Sequence, residues 1–186
     1  PVHLSATYHK NTLTYLMSER YGPEAPQIAH RLDRETSGLI LCGKTRASER
    51  ALKIDFENRR VSKRYLAIVR GETPDDAGRI ALPMDTAKEG LHILMEVTPE
   101  GEGYPSVTRY RVVARRDDAT LVSLAPESGR QHQLRVHLSA IGFPIIGDKL
   151  YGPEGSQPFL DYIETGMTDD LRRRLGHDRQ ALHAYQ

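Results

Sequence analysis

Apolar positions recur at helical spacing in three places along the chain. Between Asn11 and Arg20, Leu13, Leu16 and Met17 share one face, Asn11 stands where a cap is needed, and Gly22 lies just past the end. Thr45 or Ser48 opens a second helix reaching about Asn58, with Ala47, Ala51, Leu52 and Phe56 turned to the core. A third, beyond Gly129, carries Leu134, Leu138 and Ile141 at i, i+4 and i+7 and is stopped by Gly142 and Pro144. Leu39–Gly43 reads as a short, continuously apolar strand. Tyr65–Val69, Gly78–Leu82, Leu91–Val97, Ser106–Ala114 and Thr120–Leu124 are strand-like, and the last residues, Leu182 to Gln186, read as a strand cut in mid-course. Consecutive strands with turn residues between them predict antiparallel pairing. Strand runs broken by isolated helices predict the α+β class, a mixed, mainly antiparallel central sheet flanked by helices. Pro153–Gly176, rich in Gly, Pro and acids, reads as a surface excursion.

The length, 186 residues, predicts a single domain with a real core. Pro rather than Met at position 1 and the abrupt last strand suggest that the domain, residues 1–186, is truncated at both ends. No apolar run nears the roughly 20 residues that span a bilayer, and the first residues lack the basic-then-apolar order of a secretory signal. One cysteine, Cys42, excludes an internal disulfide and the multi-cysteine zinc sites; within its apolar strand it reads as a buried small hydrophobe. A reducing cytoplasm is the expected compartment, and a monomer the expected state.

The formal net charge of +1 hides two opposed blocks. From Lys44 to Arg70 nine basic residues face three acidic ones; from Gly71 to Gly103 eight acidic residues face two basic ones. Such a basic block is a solvated face or a polyanion footprint.

Two segments are denser in functional groups than a core or a solvated face requires. In the first, His30-Arg31-Leu32-Asp33-Arg34-Glu35-Thr36-Ser37-Gly38, Asp33 stands between two arginines just before an apolar strand. Such a loop is a turn with surface ion pairs, or it holds a carboxylate kept ionised by a guanidinium, whose proximity lowers an Asp pKa by roughly 1–3. In the second, Ser128 to Leu138, the helix places Gln131 and Arg135 on one face at i, i+4. His132 and His137 are five apart, not the spacing of a helical metal pair, and read as hydrogen-bonded structural histidines. No phosphate-cradling loop, dinucleotide fingerprint or nucleophile elbow occurs.

Together these segments resemble the signature of the RluA family of RNA pseudouridine synthases. His30 to Leu39 is similar to that family's HRLDxxTSGL motif, and Lys63-Arg64-Tyr65-Leu66-Ala67-Ile68-Val69-Arg70-Gly71 to its K-x-Y-x-A-x-V-x-G. The resemblance continues through Gly129 to Leu138, Pro144 to Gly152 and Arg179 to Ala184. It implies that Asp33 is the nucleophile, that Tyr65 lies against the target base, and that Arg135 pairs with the Asp33 carboxylate, Arg130 being the alternative partner. It further implies that Arg31 enters the RNA to support base extrusion, that Leu134 lines the pocket, and that Lys63 and Arg64 belong to a phosphate-contacting face. Substrate and product of such a reaction are isomers, so no cofactor and no metal is expected. The expected partner is RNA, an rRNA or tRNA stem-loop, and no membrane. Against the family's pattern, a strand before position 1, further strand after Tyr185 and a preceding S4 module are expected to be lacking from this domain. Two readings of other classes stay open, a non-catalytic RNA-binding module and a metal-dependent hydrolase.

Overall fold

The computed structural model describes Val2 and residues 10–186; the expectation attached to Pro1 lies outside them. The chain divides into two compact units, residues 1–62 and 63–186.

In the first unit, α1 spans Leu13–Tyr21, and its cap is Thr12 rather than Asn11: the Thr12 hydroxyl accepts the Tyr15 N–H at 3.2 Å. Gly22 ends the helix at φ 57°, as its position implied. Leu16 does not face a core; it is exposed. Three two-residue strands follow, β1 (Gln27–Ile28), β2 (Ser37–Gly38) and β3 (Cys42–Gly43), with β1 and β3 antiparallel. The expected apolar strand from Leu39 is thus confined to its last two residues, Leu39 and Leu41 are exposed, and Cys42 is only half-buried. The backbone of this run is held instead by the preceding loop: the Leu41 N–H donates to His30 Nε2 at 3.0 Å, and the Leu41 carbonyl accepts the Ala29 N–H at 3.0 Å. Next, α2 spans Arg46–Glu57 behind a reciprocal capping box of Thr45 and Ser48 and ends at Asn58, as the pattern predicted. Lys53 and Glu49, four apart, pair at 2.6 Å along its side.

The second unit is built on an antiparallel sheet. Its strands are β4 (Tyr65–Arg70), β5 (Ala77–Ala81), β8 (Val107–Arg116), β9 (Ala119–Pro126) and β10 (Leu182–Ala184), in the order β10-β4-β9-β8-β5. Strands β8 and β9 form a long hairpin with a bulge between Val112 and Ala114. Between β5 and β8 lies a separate antiparallel pair, β6 (Met84–Thr86) and β7 (Met95–Val97). The expected strand from Leu91 begins only at Met95, because Leu91 to Leu94 close a turn in which the Leu94 N–H donates to the Leu91 carbonyl at 2.8 Å. The alternation of the strands puts Ala67, Val69, Val122 and Leu124 on one face, where α3 (Gln133–Ala140) covers them with Leu134 and Leu138. Each of these buried Val and Leu side chains contributes about 1.5–3 kcal/mol.

The surface excursion expected at Pro153–Gly176 is instead two helices, α4 (Gln157–Thr165) and α5 (Asp169–Leu175). Charge conceals the short apolar pattern: Leu171 and Leu175, four apart, are buried, while Arg172 and Arg173 carry the exposed side. The Arg70 guanidinium donates to the last carbonyls of α5, Arg174 O at 2.7 Å and Leu175 O at 2.8 Å, which lie beyond the reach of the helix's own N–H groups. Among the described residues no helix is long and apolar enough to cross a membrane, and no group of three or more His, Cys, Asp or Glu side chains could hold a metal ion.

Candidate active site

In the first unit the loop from His30 to Gly38 alternates in burial. Ala29 and Leu32 are buried, Arg31 and Arg34 are exposed, and Asp33 is half-buried between them. The turn that follows closes with the Thr36 N–H donating to the Asp33 carbonyl at 3.1 Å, with Glu35 at φ 74°. A left-handed residue at that position is what a type II turn requires, and without glycine it costs about 1–2 kcal/mol. His30 steadies the entry: its ring stacks on Phe56 of α2 at 4.5 Å while its Nε2 accepts from Leu41.

In the second unit Tyr65 opens β4, in register with Leu124 on one side and Ala184 on the other, and packs against the core. Lys63, two residues earlier, donates from Nζ to the Ser128 carbonyl at 3.0 Å. Arg64 is exposed, with its backbone bonded to Tyr185 and Gln186. Leu134 is a buried member of the core cluster.

Helix α3 starts later than expected, so Gln131 precedes it and does not share a helical face with Arg135; its side chain reaches the Ile93 carbonyl instead, at 3.4 Å. His132, at φ 55°, redirects the chain into the helix. Gln133 ties that start to β8. Its Oε1 accepts the Ser128 hydroxyl at 2.7 Å and the Arg130 N–H at 3.1 Å, and its Nε2 donates to Val107 O at 2.9 Å and Thr108 Oγ1 at 3.1 Å. All the polar groups of this buried amide are thereby engaged.

Arg135 is buried and meets Asp148 side-on: Nε donates to Oδ2 at 2.7 Å and Nη2 to Oδ1 at 2.8 Å. Asp148 Oδ1 also accepts the N–H groups of Leu150 at 2.9 Å and Tyr151 at 3.2 Å. Burial alone would push the Asp148 carboxyl up; the hydrogen bonds and charge of Arg135, with the two amides, outweigh it and hold the group below the usual carboxylate range. The Arg135 guanidinium also lies over the Tyr151 ring, 4.9 Å from its centroid. The Tyr151 hydroxyl accepts the Met95 N–H at 3.0 Å and bonds His132 Nδ1 at 2.7 Å. His137 is a structural histidine, between Thr108 Oγ1 at 2.9 Å and the Leu82 carbonyl at 3.0 Å, and burial lowers its pKa against the raising effect of that carbonyl.

Sequence reasoning assigned no role to Asp148, Tyr151 or Gln133. An acid directly after the apolar run from Phe143 to Gly147 was the available signal, since a carboxylate buried there must find a cation or amides. The network leaves Arg135 a defined geometry. Its side-on edge is committed to Asp148, so any second anion is met by its other edge.

A family model described as RNA pseudouridylate synthase matches residues 1–140. The dual-specificity RNA pseudouridine synthase RluA of Vibrio cholerae is 40% identical over 147 residues, 77% of this chain and 58% of that protein. The ribosomal large subunit pseudouridine synthase D of Zymomonas mobilis is 32% identical over 191 residues, 98% of this chain and 56% of that protein. Among solved structures, human RNA pseudouridylate synthase domain containing 1 superposes with a TM-score of 0.74 at 29% identity, covering 93% of this chain and 66% of that one. The chain spans somewhat over half the length of the relatives it matches. With three quarters of its residues matched by the family model, on an α+β fold shared with a solved member, the chain belongs to the RluA family of RNA pseudouridine synthases.

Proposed function

We propose that this protein converts uridine in RNA to pseudouridine, with Asp33 as nucleophile. The observation that carries the reading is Asp33 itself, half-buried at the pivot of a turn, flanked by Arg31 and Arg34, inside the segment matched by the family model. The reaction detaches uracil from ribose through N1, rotates it and rejoins it through C5, which balances with no redox change. The Asp33 carboxylate adds to the ribose anomeric carbon or to uracil C6, or promotes loss of the uracil anion. Each route needs a charged carboxylate shielded from water, whose desolvation a guanidinium offsets. Arg135 is proposed for that role and Tyr65 for contact with the base. Arg31 would take the place of an extruded base, an unstacking that costs a few kcal/mol. Lys63, Arg64 and Arg130 are proposed as contacts to RNA, and Leu134 to the pocket wall.

One relative is named for the ribosomal large subunit and another for dual specificity on RNA; rRNA or tRNA is proposed as the substrate, in a stem-loop, which offers the unpaired uridine that such chemistry reaches most cheaply. The test is tritium release from C5-labelled uridine in transcribed rRNA and tRNA, with wild type and Asp33→Asn, with and without chelator. Release by the wild type alone, unaffected by chelator, with RNA binding retained in the variant, is the expected result. Equal release by the variant would overturn the assignment of the nucleophile; binding without release would make the protein an RNA-binding module.

A further inference from the structure

The loop between β7 and β8 ends in an aromatic residue that the roles above do not use. Its backbone is firmly held: the Met84 N–H donates to the Tyr104 carbonyl at 3.1 Å, and the Tyr104 N–H to the Met84 carbonyl at 2.8 Å. Thr98 Oγ1 donates to the Glu102 carbonyl at 2.9 Å, and Ser106 Oγ to the Tyr104 carbonyl at 3.0 Å. Gly103, at φ 63°, sits so close to Met84 that a Cβ would lie 2.9 Å from its carbonyl oxygen, so a side chain there would displace the loop. A segment this well tied has the means to bury its ring, yet Tyr104 is 54% exposed.

One face of that ring is occupied. The Arg130 guanidinium lies over it, with Cζ 4.7 Å from the centroid, and Arg130 Nε is buried with no hydrogen-bond partner. The ring, rather than an acceptor at Nε, therefore orients this side of the guanidinium. Arg130 lies over one side of the ring, and more than half of Tyr104 remains exposed. The pair is a charged aromatic surface.

We propose that Tyr104, backed by Arg130, is a stacking platform for an unpaired nucleobase of the RNA; this rests on RNA being the substrate. Aromatic rings and guanidinium planes are the surfaces on which unstacked bases settle, and every base offers a π-face to them. Glu100 and Glu102 in the same loop disfavour a phosphate there, so the contact is to a base and adds little to the salt dependence of binding.

The test is fluorescence anisotropy with two labelled transcripts, a stem-loop with an unpaired loop and a blunt duplex of the same stem. Tyr104→Ala is expected to weaken stem-loop binding about five- to thirty-fold, and Tyr104→Phe to restore it to within about twofold. The slope of log Kd against log salt should stay the same, and the preference for stem-loop over duplex should shrink by the same factor. Tyr104→Leu, which keeps apolar contact but lacks a π-face, should bind like Tyr104→Ala, so a folding defect peculiar to the smaller side chain does not decide the outcome. Unchanged stem-loop affinity in Tyr104→Ala, equal losses on both transcripts, or failure of Tyr104→Phe to restore binding would each overturn the platform. A wild type that releases no tritium yet shows the predicted pattern would overturn the isomerase and leave the platform standing; a wild type that turns over while Tyr104→Ala binds normally would do the reverse.

Discussion

Arg135 and Asp148 face each other as a fork and a carboxylate, joined by two hydrogen bonds of 2.7 and 2.8 Å in the buried part of the second unit. The pair links α3 to the segment after it and fixes which edge of the guanidinium serves structure. Three consequences can be measured.

Replacing Asp148 by Asn leaves Arg135 charged and buried opposite a neutral group. Breaking a buried pair from one side costs about 3–5 kcal/mol, so urea unfolding at neutral pH should show a loss of that order. The pH dependence has a definite sign. The Asp148 carboxyl is held below its ordinary range in the folded protein, so its contribution is fully present above the unfolded-state value of about 3.9 and is lost as pH falls below that through the folded pKa. The wild type and Asp148→Asn should therefore differ most near neutrality, and their stabilities should converge in acid below about pH 4.

Tyr151→Phe keeps the ring under Arg135 and removes the oxygen that serves Met95 and His132. The Met95 N–H then loses its acceptor, which costs about 1–3 kcal/mol where water does not replace it. Tyr151→Leu also removes the ring face, and its loss of stability should exceed that of Tyr151→Phe by about 0.5–2 kcal/mol. Equal losses in thermal or urea unfolding would mean that the ring face contributes nothing to holding Arg135.

Gly147 precedes Asp148 at φ 79°, and a Cβ there would collide with the Arg179 carbonyl oxygen. Its own N–H donates to the Leu175 carbonyl at 3.0 Å. Gly147→Ala combines a left-handed conformation with a backbone clash, and a loss above about 2 kcal/mol is expected. The same variant should disturb the Asp148–Arg135 pair, read as a changed Arg135 Nε–H resonance in nuclear magnetic resonance spectra.

Much of the fold was legible because its determinants are local. Thr45 or Ser48 announces a helix start, which the structure makes a capping box of the two, Gly22 announces a helix end, and Tyr65–Val69 and Thr120–Leu124 announce strands. The failures were also local signals, overruled by long-range contacts. The apolar run from Leu39 was outbid by the hold of His30 on Leu41, and the charged stretch around Leu171 hid a helix because only two apolar side chains anchor it. Arg135 looked like one side of an amphipathic helix; Asp148, thirteen residues on, took it inward.

The sequence by itself determined the types of elements such as α2, β4 and β9, the α+β class and the motif order around Asp33, since periodicity, caps and residue identities are properties of neighbouring positions. Only the tertiary structure decided that Asp148 holds the side-on edge of Arg135, that Tyr151 joins that guanidinium to His132, and that Tyr104 stays exposed beneath Arg130. Those choices depend on which residues meet across turns and strand registers. Short-range hydrogen bonds and ring contacts fall off within a few ångströms, and that proximity is set by the packing of distant segments rather than by spacing along the chain.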